Sequence, residues 1–137
     1  MTVTDVFLAD GVNTDTLISV EMAQLKGGNS SNLLDGSAFS GDVTLIGNGG
    51  DDTLKGGAGS DFLVGNSGND SIVGNGGDDI LKGMRGNDTL AGRGGGDWLD
   101  GGSGDEWLDG GSSDDWLDGG SGDDSLHGSV GNDSLYG

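Results

Sequence analysis

The nonamers GNSGNDSIV, GNGGDDILK and GMRGNDTLA follow one another without a break from Gly65 to Ala91. They share glycine at positions 1 and 4, aspartate at position 6 and an aliphatic residue at position 8. Outward from this stretch the same frame holds from Gly47 to Tyr136, ten copies in all, and Gly137 opens an eleventh. Position 1 is glycine in all ten, and position 4 in nine, with Ser113 the exception. Position 6 is aspartate in nine, with Glu106 the exception, and position 8 is always leucine or isoleucine. A fixed short period marks a solenoid, in which each repeat buries its apolar side chain only against its neighbours.

The columns predict an all-β fold. Positions 7–9 read as a short strand: side chains alternate along it, so the aliphatic position 8 faces in and positions 7 and 9 face out. Positions 1–6 read as a tight turn in which glycine permits left-handed backbone. Two nonamers then close one 18-residue turn, giving two stacked parallel sheets with the aliphatic column between them. Position 6 of each repeat falls beneath position 6 two repeats on. Asp52, Asp70, Asp88, Glu106 and Asp124 form one carboxylate column; Asp61, Asp79, Asp97, Asp115 and Asp133 form the other. Carboxylates one strand spacing apart, about 4.8 Å, repel by roughly 3.5 kcal/mol at an effective dielectric of 20. Counter-ions are therefore required. Calcium, which takes six to eight oxygens, suits aspartates beside the bare carbonyls of glycine-rich turns. Two columns of five carboxylates have eight gaps, so at most eight ions are expected. Their +16 compares with −14 from 18 acidic and four basic residues over 47–137.

Composition agrees. Five Lys+Arg against 24 Asp+Glu give −19, which makes nucleic acid and anionic membrane surfaces improbable partners. Thirty-three glycines argue against helices, and the absence of proline excludes collagen. Cysteine is absent, which excludes disulfides and thiolate metal sites. With 31% hydrophobic residues the chain cannot build a conventional core, and no apolar run reaches membrane-spanning length.

These nonamers closely resemble the RTX (repeats-in-toxin, haemolysin-type) family, whose repeat is GGxGxDxUx, a known signature of calcium-binding β-helices. The resemblance implies a right-handed parallel β-roll, bacterial origin, type I secretion in an unfolded state, and folding outside the cell in millimolar calcium. It also implies that the position-6 aspartates Asp52, Asp61, Asp70, Asp79, Asp88, Asp97, Asp115, Asp124 and Asp133 are metal ligands, with turn carbonyls completing the set. Glu106 departs from the pattern, and its extra methylene is expected to misplace the carboxylate. Ser113 is expected to strain its turn.

Residues 1–46 read as a degenerate cap, ahead of the ten repeats of 47–137. GGNSSNLLD (27–35) keeps Asn32 at position 6 and Leu34 at position 8. AFSGDVTLI (38–46) keeps Leu45 but has Val43 where aspartate is expected, and DGVNTDTLI (10–18) puts Asp15 and Leu17 in register. ISVEMAQLK (18–26) is a candidate helical turn. MTVTDVFLAD lacks a basic n-region and an apolar h-region, so no cleavable secretion signal is expected there. The chain, which stops mid-repeat, reads as a piece of a longer secreted protein.

No catalytic site is expected. His127 occupies an outward position, the serines lack a base, and the glycine-rich stretches lack the Lys-Ser/Thr of a phosphate loop. The leading expectation is a structural module that folds on calcium. The alternative is a carbohydrate-binding or substrate-positioning module of a secreted polysaccharide-modifying enzyme. Trp98, Trp107 and Trp116 at position 7 would be its surface for a sugar or protein partner, with Trp98 and Trp116 on one face and Trp107 on the other. Position-9 aspartates (Asp100, Asp109, Asp118) and position-5 acids (Asp51, Asp78, Asp105, Asp114, Asp123) read as solvated or accessory charge.

Overall fold

The computed structural model describes residues 6–7, 14–16 and 23–137; for residues 6, 7, 14–16 and 23 it describes the backbone only. Two parallel sheets face each other. One has eight strands, in the order β1 (Val6–Phe7), β3 (Ala23–Lys26), β5 (Val43–Gly49), β7 (Phe62–Ser67), β9 (Ile80–Arg85), β11 (Trp98–Ser103), β13 (Trp116–Ser121) and β15 (Ser134–Tyr136). The other has seven, in the order β14 (Ser125–Val130), β12 (Trp107–Ser112), β10 (Thr89–Gly94), β8 (Ser71–Gly76), β6 (Thr53–Lys55), β4 (Leu33–Asp35) and β2 (Thr14–Thr16). Successive strands alternate between sheets, so the chain winds as a β-solenoid. From β5 onward partners are 18 residues apart, as in Leu63↔Leu81 and Leu90↔Leu108.

The core is the position-8 column. Leu54, Leu63, Ile72, Leu81, Leu90, Leu99, Leu108 and Leu117 have no exposed surface, and Leu25, Leu34 and Leu45 continue the column toward the N-terminus. Complete burial of such a side chain contributes about 1.5–3 kcal/mol. Toward the other end Leu126 is only partly buried, and Leu135 is exposed.

Strand length differs from expectation. Most strands run six residues, from position 7 through position 3 of the next repeat, and the turn shrinks to positions 4–6. Position 1 is therefore strand, facing inward beside position 8. The backbone accommodates this by turning left-handed at position 2, where Asn66, Met84 and Arg93 have φ of 79°, 85° and 84°. Position 4 is left-handed as well. Ser113 adopts φ 91° there, the strain anticipated for a side chain in a glycine position.

The N-terminal part departs from the sequence reading in three places. Residues 23–26 are strand, not helix; the rest of the candidate helical turn lies outside the described residues. Asp15 lies across from Leu34, not from Asn32, two residues out of the expected register, and Leu17 is outside the described residues. The nine-residue spacing slips twice: β1 and β2 pair with β3 and β4 at 19 residues, as in Val6↔Leu25 and Asp15↔Leu34, and a two-residue insertion follows β4. Leu25 to Leu34 is a regular nine, but Leu34 to Leu45 is eleven, because Gly36 takes the position-1 place and six residues, not the regular four, separate it from Val43. Phe39, inside the insertion, is buried and joins the core. Among the described residues, no helix is long and apolar enough to cross a membrane.

Candidate metal centre

Each position-6 side chain enters the interior at the corner where the turn meets the strand. Asp52, Asp61, Asp70, Asp79, Asp88, Asp97, Glu106 and Asp115 are all at most 3% exposed. The carboxylates form two hydrogen-bonded ladders, each amide donating to the carboxylate one turn on. In one, the Asp61 amide donates to Asp79 Oδ1 at 2.7 Å, Asp79 to Asp97 at 2.9 Å, Asp97 to Asp115 at 2.8 Å and Asp115 to Asp133 at 3.0 Å. In the other, Asp52 donates to Asp70 and Asp70 to Asp88, both at 2.7 Å.

This bond uses one oxygen of each carboxylate. The other oxygen, Oδ2, is buried without a hydrogen-bond partner in Asp52, Asp70, Asp79, Asp88, Asp97, Asp115 and Asp124. A buried polar atom with nothing to bond costs about 1–3 kcal/mol, and more when charged. The invariant position-1 glycine makes the space for it. A β-carbon on Gly83 would meet Asp88 Oδ2 and stand 2.6 Å from the carbonyl oxygen of Gly101, one turn on. The same pair of oxygens, an orphaned Oδ2 and a next-turn glycine carbonyl, recurs beside Gly47, Gly74 and Gly92. Position-1 glycine was read as turn chemistry; its role is to clear room for oxygen.

The electrostatics follow. Burial pushes Asp79 up to about 8, with its ladder neighbours Asp61 and Asp97 adding to the effect. Burial likewise raises Asp52, Asp88 and Asp97 to about 6. Asp61, Asp70 and Asp115 move in the same direction for the same reason. The donor set suits a hard dication: carboxylate and carbonyl oxygens only, pre-aligned, with spare lone pairs. Among the described residues no three acidic or imidazole groups converge on a point, so backbone carbonyls must supply most of the ligands.

Three positions depart from the ladder. Both Glu106 carboxylate oxygens are buried without a partner, and the Asp88–Glu106 step lacks the amide-to-carboxylate bond that the other steps make. Burial drives Glu106 up to about 8, with the Asp124 carboxyl next in weight. The ladder resumes where the Glu106 amide donates to Asp124 Oδ1 at 2.9 Å. Asp61 is different, because its Oδ2 accepts the Gly57 amide of its own turn at 2.6 Å. Asn32 accepts the Gly28 amide in the same way at 2.8 Å. Asp124 and Asp133 are half-buried near the end of the described roll.

Position 5 carries a second ladder that the sequence reading missed. Its side chains bond in the opposite sense: the Asn69 amide donates to Asp51, Asn87 to Asn69, Asp105 to Asn87 and Asp123 to Asp105. The other turn column is interrupted, with Asp42, Asp78 and Asp114 each accepting one amide from the next turn. The restriction of the column Asp51, Asn69, Asn87, Asp105, Asp123 to Asp and Asn was the available signal. At position 9, Asp100 pairs with Lys82 at 3.3 Å, and Asp109 accepts Ser129 Oγ at 2.8 Å. His127 is exposed and lies 5.7 Å from Trp107. Trp98 and Trp116 meet edge-to-face at 5.0 Å on the eight-stranded sheet; Trp107 is on the other sheet, so the three form no single platform.

A two-sheet β-solenoid with buried carboxylate ladders beside bare glycines is the architecture of a calcium-binding β-roll. The family model for the RTX calcium-binding nonapeptide repeat (4 copies) matches residues 26–63, 37–72, 64–99 and 100–135, and the chain belongs to that family. The match begins well before Gly47, within the part read as degenerate. Neither a curated protein nor a solved structure matches the chain.

Proposed function

We propose that the chain is a calcium-dependent folding module of a secreted bacterial protein, with a structural and not a catalytic role. The observation that carries this reading is the row of buried Oδ2 atoms without partners, those of Asp52, Asp79, Asp88 and Asp97 each flanking a bare glycine together with a glycine carbonyl of the next turn. Asp52, Asp70, Asp79, Asp88, Asp97, Asp115, Asp124 and Asp133 would hold the ions. Asp61 would do so after releasing Gly57, and Glu106 would be the weakest ligand. The ceiling is eight ions. Bound calcium would supply the positive charge and the oxygen-coordinating centre that the ladders lack.

The chain's own residues explain the coupling. Without a cation, folding buries carboxylates whose spare oxygens gain nothing, and the single aliphatic column is a small return for ordering so many glycines. With calcium, binding free energy becomes folding free energy. Export as an unfolded chain from a calcium-poor interior and folding in a calcium-rich exterior fits this dependence. A circular dichroism titration in calcium is expected to convert coil to β cooperatively between micromolar and millimolar metal. Magnesium should substitute poorly because it holds its waters and demands octahedral geometry. A β-rich spectrum in excess chelator, unchanged by calcium, would overturn the proposal.

A further inference from the structure

The outer faces of the two sheets differ. On the eight-stranded sheet the outward position-7 column runs Thr44, Phe62, Ile80, Trp98, Trp116, Ser134; on the other it runs Thr53, Ser71, Thr89, Trp107, Ser125. Beside the aromatic column, at the corner of the turns, lies a groove of about 500 Å³ that crosses four successive turns. Trp98 and Trp116 form one wall, and Asp78 and Asp114 stand along it with Gly96 between them. Gly96 occupies the place where a position-5 side chain would otherwise fill the middle. Asp78 and Asp114 are exposed. Each accepts a backbone amide of the next turn on Oδ1, and Asp114 Oδ1 also accepts Asn132 Nδ2 at 3.2 Å; a carboxylate has further lone pairs to accept with.

The molecule's own chemistry shows what this face accepts. The Lys82 ammonium lies 5.5 Å from the centroid of the Trp98 ring while pairing with Asp100 at 3.3 Å. A cation over an indole face, held by a flanking carboxylate, is a favourable pairing at a partly exposed site. The groove offers the same kinds of group, an indole in Trp116, whose ring also lies 5.5 Å from that of Tyr136, and two exposed carboxylates.

We infer that this groove binds an extended basic segment of a protein partner, its cationic side chains seated on Asp78 and Asp114 with the intervening chain against Trp98 and Trp116. The spacing selects the register. Asp78 and Asp114 are two turns apart, about 9.6 Å at one strand spacing per turn. Three residues of extended polyproline II chain span about 9.3 Å, so cationic residues at i and i+3 match. The exposed Asp78 and Asp114 carboxylates attract such a partner at the groove itself, and the aromatic wall fixes where it docks. The inference needs the folded roll and is independent of how many ions hold it.

The probe is the peptide Arg-Ala-Ala-Arg-Ala-Ala-Arg, titrated calorimetrically into the full chain at saturating calcium and moderate salt, with the circular dichroism of each sample recorded. Trp98→Ala/Trp116→Ala and Asp78→Asn/Asp114→Asn should each weaken binding by about tenfold, the scale of lost cation–π and charge contacts. Trp107→Ala, on the opposite sheet, should leave it unchanged. The same composition with the three arginines contiguous should bind more weakly. The inference is overturned if the peptide does not bind to a sample whose spectrum shows the roll. It is also overturned if Trp107→Ala costs as much as the groove variants, or if a neutral glucan oligosaccharide occupies the tryptophans and the peptide does not displace it.

Discussion

Residues 23–46 and residues 47–137 coil around one continuous column of buried aliphatic side chains, yet they differ in register and in the residues at position 6. In the second region partners are 18 residues apart throughout. In the first, Leu25 pairs with Leu45 and Leu34 lies opposite Leu54, both 20 apart. One two-residue insertion around Phe39 accounts for both offsets. Leu25, Leu34 and Leu45 are nonetheless as fully buried as Leu81. The carboxylate ladder lapses at the same place, with Asn32 and Val43 at position 6. Their amides still donate to Asp52 and Asp61 at 2.7 and 2.8 Å. The backbone course and the apolar column therefore survive without the charge. The solenoid is set by leucine and hydrogen bonding, while the carboxylates are an added, costly layer that suits a cation.

If that separation holds, pH should act on the regular block with the largest effect, and in opposite directions with and without metal. Aspartates and glutamate with folded-state values of about 6 to 8 hold protons that the unfolded chain has released. Metal-free stability is then greatest below about pH 4 and falls as pH rises through 8. With calcium the trend reverses, because ligation requires the deprotonated form. Far-UV circular dichroism is expected to show more β structure at pH 4 than at pH 8 in metal-free buffer, and less at pH 4 than at pH 8 with calcium. A metal-free β signal that grows with pH would mean that the carboxylates are not buried as described.

The shared leucine column makes the next prediction. Leu34→Ala and Leu81→Ala should each cost about 2–5 kcal/mol in calcium, since both side chains are wholly enclosed. Thermal melts of the two variants compare the regions directly. A negligible loss for Leu34→Ala would place the N-terminal strands outside the cooperative unit.

Glycine tests the charged layer without touching charge. Gly83→Ala puts a methyl against Asp88 Oδ2 and the Gly101 carbonyl, and overpacking of this kind costs about 1–3 kcal/mol. Gly76→Ala meets nothing within 4 Å and should be near neutral. Calcium titrations should show a raised midpoint for the first variant only. Equal midpoints would deny position-1 glycine its role in clearing the site.

These tests fall where sequence reading succeeded and stopped. The leucine column, the 18-residue turn and the pairing of Trp98 with Trp116 were legible because each depends only on period. Strand length was not, since position 1 looks like turn glycine until the carboxylate facing it is placed. The nonamer read as 38–46 starts at Ala38, whereas Gly36 holds position 1 through a hydrogen bond from its amide to the Lys55 carbonyl, which no local pattern reveals. The self-satisfied Asp61 has the same origin: nothing in GGAGSDFLV distinguishes its aspartate from its neighbours, and only the Gly57 amide does.

The smallest expected effects come from editing the ladder one carboxylate at a time. Asn32→Asp places a carboxylate beside Asp52, with Gly27 already bare and the Gly47 carbonyl 2.5 Å from where a β-carbon on Gly27 would stand. It should add one calcium and lower the midpoint slightly. Val43 packs against the bare Gly36 and belongs to the same buried cluster as Phe39, so Val43→Asp introduces a charge against an apolar wall and should destabilise the roll instead. Glu106→Asp shortens the one side chain whose two oxygens both lack partners. The Asp88 amide should then find the acceptor that its equivalents have, and the gaps on either side should bind more tightly. With Trp98 and Trp116 changed to phenylalanine, the fluorescence transition of Trp107, which follows position 106, should move to lower calcium. Isothermal titration gives the ion counts. If Asn32→Asp and Glu106→Asp leave both count and midpoint unchanged, the ladder is not what recruits the ions, and the carbonyls of the turns must bind them unaided.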